Sequence, residues 1–306
     1  METGSPAAGV RADDPSPGHR ELVARVAERV GSVREAVWIV EHVEGIGTLP
    51  PERDGVALGL ADRRAGGEPL QYVLGTWQFR TLELAVDRRV LIPRPETEQV
   101  VEVALAELDR IGAERQADGW SGPVCVDLGT GSGAIALSLA VEGARGGAAP
   151  EVWGTDRSPD ALAVAQANLD ALAARDAAAA ARVTLVEGSW FDALPGSLAR
   201  RVDLVVSNPP YVSGDEFGDL DPEVREWEPE GALVAPRGRS GVGGMADIEA
   251  VVAGAGAWLR PSGALVVELA PSQAYAAVDA ARRAGFTRVG TARDLAGRLR
   301  MLVAAR

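Results

Sequence analysis

Apolar residues recur at three- and four-residue spacing early in the chain. Further on they gather into short runs separated by helix-like stretches. From Arg20 to about Gly66, Leu22, Val23, Val26, Ala27 and Val30 form one stripe, the period of an amphipathic helix. Ser32 followed by Glu35 fits a capping box and opens a second helix, with Val37-Trp38-Ile39-Val40 as its apolar face. Pro50-Pro51 starts another, carrying Val56, Leu58 and Leu60. A helical bundle is therefore expected over residues 19–76. Residues 1–18, rich in Pro, Gly, Ser and acids, read as a disordered tail without the positive-then-apolar order of a signal peptide. Trp77 to Val90 alternates like strands and predicts a β-hairpin linker over 77–90.

From Leu91 the rhythm is α/β. Parallel strands are expected at 123–128, 151–156, 182–187, 202–207 and 263–269, and two more strands within 286–304 around a turn near Gly297. This is a Rossmann-like seven-stranded sheet occupying residues 91–306. Residues 170–181, nearly all Ala, Arg, Asp and Leu, read as helix. Residues 112–122 and 143–150, Gly-rich and polar, read as surface loops.

Two segments carry chemistry. Val124-Cys125-Val126 runs into Asp127-Leu128-Gly129-Thr130-Gly131-Ser132-Gly133-Ala134, a strand, glycine turn and helix start. Glycines let backbone approach a ligand, and the helix N-terminus favours an anion. A second strand ends at Asp156, where a carboxylate can take both ribose hydroxyls of an adenosine. Gly129-x-Gly131-x-x-Ala134 also satisfies a loose dinucleotide fingerprint, so NAD is a rival for this loop alone. The acid two residues before the first glycine favours S-adenosylmethionine. Asp127 is expected either to contact that cofactor's amine or to tie the loop together.

The second segment is Asn208-Pro209-Pro210-Tyr211, directly after the apolar run 202–207. An Asn oxygen can accept one N–H of a planar NH2 group. The prolines pre-aim main-chain carbonyls, one of which can accept the other N–H, and Tyr211 offers a flat face. Asn208, Pro209, Pro210 and Tyr211 are thus the candidate catalytic and substrate-binding residues, with Asn208 also facing the cofactor. The bland alternative is a Pro-rich turn after a strand. With the glycine loop, methyl transfer to a planar nitrogen is favoured.

The chain resembles the protein glutamine-N5 methyltransferases of peptide chain release factors (the HemK or PrmC family). The resemblance rests on the two motifs above and on Pro69-Leu70-Gln71-Tyr72-Val73-Leu74-Gly75, Trp77-Gln78-Phe79 and Leu91-Ile92-Pro93-Arg94-Pro95-Glu96-Thr97-Glu98. It continues in Glu228-Pro229-Glu230, Ala232-Leu233, Gly244-Met245-Ala246-Asp247-Ile248 and Arg293-Asp294-Leu295-Ala296-Gly297-Arg298. It implies S-adenosylmethionine as cofactor, the glutamine of a Gly-Gly-Gln loop as methyl acceptor, and substrate recognition by the bundle. It also places Gly188-Ser189-Trp190-Phe191 along the adenine, where Trp190 either stacks on it or is part of the core. Ser189 departs from the family, where an acid commonly stands, and an adenine amino contact is weakened accordingly. Arg94, pinned between Pro93 and Pro95, either faces the active site or forms a structural turn.

Composition narrows the partners. The 306 residues carry 31 basic and 44 acidic groups, net charge −13, and every basic residue is Arg. Nonspecific nucleic-acid binding is disfavoured, because it needs phosphates neutralised. Residues 215–230 hold eight acids and one Arg. They are either a solvated face or a surface for a basic loop of a protein substrate. The single Cys125 lies in an apolar strand and reads as inert core, which fits a reducing cytoplasm. His19 and His42 lie in the bundle, so no His-based triad or metal ligand set is expected. No 18-residue apolar stretch exists. The expected protein is a cytoplasmic monomer acting on release factors, with no metal, no direct nucleic acid and no membrane. The rivals are an adenine-N6 methyltransferase on DNA or RNA and a cofactor-binding scaffold without turnover. A DNA enzyme must extrude its base and grip phosphates, against which the acidic balance counts.

Overall fold

A computed structural model describes residues 16–47, 52–115, 122–143 and 149–306. The chain divides into two compact units, Met1–Leu74 and Gly75–Arg306.

The first unit contains α1 (Pro17–Val30), α2 (Val33–Gly45), α3 (Glu52–Ala65) and α4 (Leu70–Leu74). Ser16 caps α1 by accepting from His19 N, Pro17 supplies the first turn, and Gly31 ends the helix with φ 70°. Helix therefore begins inside the segment expected to be a tail. The rest of that segment, and Pro50-Pro51, lie outside the described residues. Ser32 accepts from Glu35 N, but the Glu35 carboxylate pairs with Arg64 of α3, so the capping box is not closed reciprocally by an acid free to fold back.

The core faces differ from the expected runs in an informative way. In α2 the buried residues are Ala36, Ile39, Val40 and Val43, while Val37 and Trp38 are only half-buried. A run of four cannot share one face at 3.6 residues per turn. In α3 Ala57 and Ala61 face the core, Leu58 and Leu60 are half-buried and Val56 is exposed. Two alanines four apart let this helix approach closely. Arg25–Asp54 at 2.8 Å and Arg29–Asp62 at 2.9 Å join α1 to α3 along the rim.

The second unit opens with the hairpin β1 (Thr76–Phe79) and β2 (Leu82–Ala85). The hairpin is shorter than 77–90 and belongs to this unit. A turn closed by Val90 N on the Asp87 carbonyl follows it. Arg80, at φ 51°, makes the tight turn. Its guanidinium pairs with Glu142 at 2.6 Å and Glu102 at 2.9 Å, and its own N–H reaches Glu98. These contacts fasten the hairpin to the helices behind the sheet.

Then follow α5 (Pro95–Arg115), β3 (Val124–Leu128), α6 (Ala134–Glu142), β4 (Glu151–Asp156), α7 (Pro159–Arg175), α8 (Ala177–Ala180) and β5 (Val183–Glu187). After them come β6 (Val202–Ser207), α9 (Pro222–Trp227), α10 (Glu230–Leu233), α11 (Ala246–Trp258), β7 (Leu259–Glu268), α12 (Ala274–Arg283), β8 (Arg288–Arg293) and β9 (Leu299–Ala305). The strands form one seven-stranded sheet in the order β5-β4-β3-β6-β7-β9-β8, parallel except for the terminal hairpin. This is the expected Rossmann-like architecture. Strand β7 begins four residues early, with a register irregularity against β6. Residues 112–115 are the last turn of α5, not loop, because Ile111 still packs in the core and holds the helix. Helix over 170–181 breaks at Asp176, whose side chain leaves α7 to cap α8 through Ala179 N.

The sheet buries both faces, as parallel sheets do. Cys125, Leu204, Val206, Ala264 and Val266 face one layer with α5 and α6. Val126, Leu128, Val205, Leu265 and Val267 face the other with α11 and α12. Burial pushes the Cys125 thiol well above its ordinary range, leaving it protonated and inert.

Candidate active site

The strand order reverses direction between β3 and β6, and in doubly wound sheets ligands sit at that switch point, beyond the carboxyl ends of the strands. A cleft of about 220 Å³ lies there. Gly129, Thr130, Gly131, Ser132, Asp156, Trp190, Asn208 and Pro210 line it.

The glycine loop is left-handed at Gly129, Gly131 and Gly133, with φ of 72°, 55° and 85°, a conformation side chains resist. A β-carbon on Gly131 would meet nothing within 4 Å, so that backbone faces open cleft. Gly129 and Thr130 donate to the Thr155 carbonyl at 2.8 and 2.9 Å, tying the loop to β4. Asp156 fixes the rim: Oδ2 accepts from Gly131 N and Oδ1 from Ser158 N, both at 2.9 Å. A carboxylate has about four acceptor positions, so two remain for ligand hydroxyls.

Asp127 does not line the cleft. It lies fully buried beneath the loop, where Oδ2 accepts from Thr130 Oγ1 at 2.6 Å and from Ala136 N at 3.1 Å. Its Oδ1 has no hydrogen-bond partner among the described residues. Burial pushes its carboxyl up to about 7. Of the two roles open to it, the geometry fits tying the loop. Gly133 likewise turns inward, toward Leu137 and Ala165. Trp190 sits at φ 46°, and its ring lies against Gly129, where an added β-carbon would be 3.4 Å from the indole. Trp190 and Ser189 both line the cleft.

At the end of β6, Ser207 Oγ donates to the Leu128 carbonyl at 2.7 Å, locking the tips of the two central strands together. Asn208 follows, half-buried, and its Nδ2 donates to Thr97 Oγ1 at 3.2 Å. Thr97 in turn donates to Glu268 Oε2 at 2.7 Å, and the Tyr211 hydroxyl donates to Glu268 Oε1 at 3.2 Å. Burial pushes Glu268 up to about 7, with Thr97, Arg300 and Tyr211 opposing. Burial beside that carboxylate also raises the Tyr211 hydroxyl. Pro209 is buried, and neither it nor Tyr211 lines the cleft. Behind the motif, Gln273 Nε2 bonds the carbonyls of Tyr211 and Gly243 at 2.8 and 3.0 Å. Gly244, at φ 68°, touches the same backbone; a β-carbon there would fall 2.0 Å from the Tyr211 oxygen.

The segment after the motif folds back over the cleft. Val212 bridges Val234, and Pro229, Gly231 and Ala232 line the wall. Glu228, 5% exposed, takes an ion pair from Arg94 and the Ile92 N–H at 3.1 Å. Arg157 reaches the Gly231 carbonyl at 3.0 Å. Arg94 is thus a latch for this wall. Of the acids in 215–230, Glu228 is buried and paired and Glu223 is half-buried, while Asp215, Glu216, Asp219, Asp221, which caps α9, Glu226 and Glu230 are exposed.

Thr97, Glu268, Gln273 and Glu228 are site residues that reading the motifs alone did not single out. Thr97 and Glu228 stood within quoted strings without a role. Glu268 had a signal of its own: an acid closing the apolar run Ala264-Leu265-Val266-Val267 at the ligand end of a parallel strand.

Among the described residues no group of three or more His, Cys, Asp or Glu is placed to hold a metal ion. No helix among them is long and apolar enough to cross a membrane.

A doubly wound sheet, a glycine loop anchored by Asp156, and Asn-Pro-Pro-Tyr at the neighbouring strand end define a Rossmann-like methyltransferase. The family model of the methyltransferase small domain matches residues 116–220. The chain is 38% identical over 281 residues to a release factor glutamine methyltransferase of Bordetella pertussis, covering 92% of this chain and 93% of that one. Similar proteins of the same name occur in Salmonella typhimurium (36% identical, 92% and 95% covered) and Cereibacter sphaeroides (40%, 84% and 81%). The chain belongs to the release factor glutamine methyltransferase family.

Proposed function

We propose that this protein methylates the side-chain amide nitrogen, N5, of the glutamine in the Gly-Gly-Gln loop of peptide chain release factors. The observation that carries the reading is Asn208 in the cleft, its NH2 anchored on Thr97, in a chain whose near full-length relatives bear that name.

The cleft residues fit S-adenosylmethionine. Asp156 has acceptor capacity for two ribose hydroxyls, Gly131 leaves room for close backbone approach, and Trp190 offers an adenine a flat wall. When bound, the cofactor supplies a methyl group on a sulfonium. The protein's task is alignment, because an in-line displacement depends on geometry. Asn208 Oδ1 accepts one N–H of the substrate amide, and Pro210 lines the cleft beside it. The nitrogen is then held in place, and the Asn208 acceptor favours the positive charge that develops on it. As nitrogen gains the methyl it loses one proton, which passes to water.

The same reading gives the first unit, expected over 19–76, the role of gripping the release factor. Its support is that the unit packs around its own core and carries none of the cleft residues. The exposed acids near the motif suit a basic substrate loop. A substrate from the translation machinery fits work in the cytoplasm, and the reading takes the protein to act as a monomer. The test is incubation with labelled S-adenosylmethionine and, in parallel, release factor, a Gln→Ala release factor and DNA, with the modified residue mapped by mass spectrometry. Label on the Gly-Gly-Gln glutamine supports the reading; label on adenine alone overturns it.

A further inference from the structure

The chain Asn208–Thr97–Glu268 has a direction that follows from counting hydrogens. Glu268 is 1% exposed and, in its ionised form, only accepts. Thr97, 4% exposed, has a single hydroxyl hydrogen, and that hydrogen goes to Glu268 at 2.7 Å. The Thr97 oxygen can therefore only accept from Asn208, and only the NH2 half of an amide donates. An Asn amide has nearly the same shape after a half-turn, so sterics alone do not choose which end faces the cleft. A reversed Asn208 would meet the substrate NH2 with another NH2.

We infer that Thr97 and Glu268 are positioning residues that fix the amide of Asn208 with its oxygen toward the methyl-accepting nitrogen. The inference rests on the function proposed above. The Tyr211 hydroxyl closes the arrangement by taking the second Glu268 oxygen at 3.2 Å. The start of α5, the end of β7 and the motif itself thereby meet at one carboxylate. The Thr97 hydroxyl is the part that matters: without it Glu268 cannot dictate the direction of Asn208.

The experiment compares Thr97→Val, which keeps the shape and removes the hydroxyl, with Thr97→Ser, which restores it. Glu268→Leu is set beside Glu268→Gln, whose Oε1 still accepts from Thr97. Wild-type transfer to release factor is measured first. Thr97→Val and Glu268→Leu should lower kcat ~10–100-fold. Binding of S-adenosylmethionine by calorimetry should stay within about twofold, since Gly131, Asp156 and Trp190, to which the cofactor is assigned, are untouched. Thr97→Ser and Glu268→Gln should stay within a few-fold of wild type. A second readout needs no turnover: the Asn208 side-chain NH2 resonances, assigned by their loss in Asn208→Ala. They should exchange slowly with solvent in wild type and Thr97→Ser, and fast in Thr97→Val. Wild-type kcat with protected Asn208 hydrogens in Thr97→Val would overturn the inference. So would a Ser variant as inactive as Val. If wild type transfers no methyl to release factor, the proposed function fails, and Asn208 exchange alone then decides the positioning role.

Discussion

Asn208 is gripped at its NH2 end by Thr97, and its motif backbone is gripped from behind by Gln273. Removing the side chain therefore leaves the scaffold in place. Asn208→Ala should fold, bind S-adenosylmethionine and lose about 10²–10³ in kcat, the usual cost of one preorganised hydrogen-bonding partner. Asn208→Asp keeps an acceptor but offers Thr97 no NH2, so it should fail nearly as badly; this comparison is read in single-turnover methylation. Near-wild-type turnover in the Ala variant would reduce the motif to a turn. Glu268 gives a second prediction at this scale. Facing Thr97, Tyr211, Arg300 and Glu96, it is raised by burial from an ordinary 4.5 to about 7. The folded state thus holds its proton more tightly than the unfolded chain. Stability from this group is complete below about pH 4.5 and is lost as pH rises through 7. Relative to Glu268→Gln, wild type should lose up to about 3 kcal/mol between pH 4.5 and 8. Thermal melts across that range give the difference, and a pH-independent gap would show that Glu268 ionises normally. Asp127, also raised to about 7, is common to both proteins and cancels.

At the scale of elements, the strands were legible because each is a short apolar run ending at a polar, glycine or proline break. The cleft half built from Gly129–Ser132 and Asp156 was legible because a loop and the next strand lie close in sequence. What joins Thr97 to Glu268 was not. The two are 171 residues apart, and only the pairing of β6 with β7 brings Glu268 beside Asn208. The bundle faces are less legible: Val37 to Val40 cannot share one face at 3.6 residues per turn, and Ala57 and Ala61, which do face the core, carry too little apolar surface to mark it in the sequence. Gly244 shows how far such support reaches. It sits on the turn before α11, yet its missing β-carbon is what lets Tyr211 pass. Gly244→Ala combines φ 68° with a 2.0 Å clash against backbone. It should cost at least ~2 kcal/mol or displace the motif. Denaturant unfolding measures the first and S-adenosylmethionine-saturated kcat the second. A variant unchanged in both would mean that the 243–245 turn yields without disturbing Tyr211.

At the scale of the whole molecule, the proposed function assigns chemistry and recognition to different units, and that assignment can be tested experimentally. Residues 75–306 hold every cleft residue and two cores of their own. The unit ending at Leu74 holds a separate core. A protein shortened to 75–306 should therefore bind S-adenosylmethionine within about threefold of the full chain, a change under about 1 kcal/mol. If the missing unit only grips substrate, the loss should fall on KM for whole release factor and spare kcat at saturation. Interactions made equally before and during the chemical step have that signature. A decrease of at least ~10-fold in kcat/KM is expected with whole release factor. A short peptide carrying Gly-Gly-Gln is too small to engage a second unit, so both forms should methylate it equally poorly. The peptide arm separates lost recognition from a damaged cleft: damage would lower both substrates alike. Equal kcat/KM for whole release factor, with and without the bundle, would remove its recognition role and leave it a packing module.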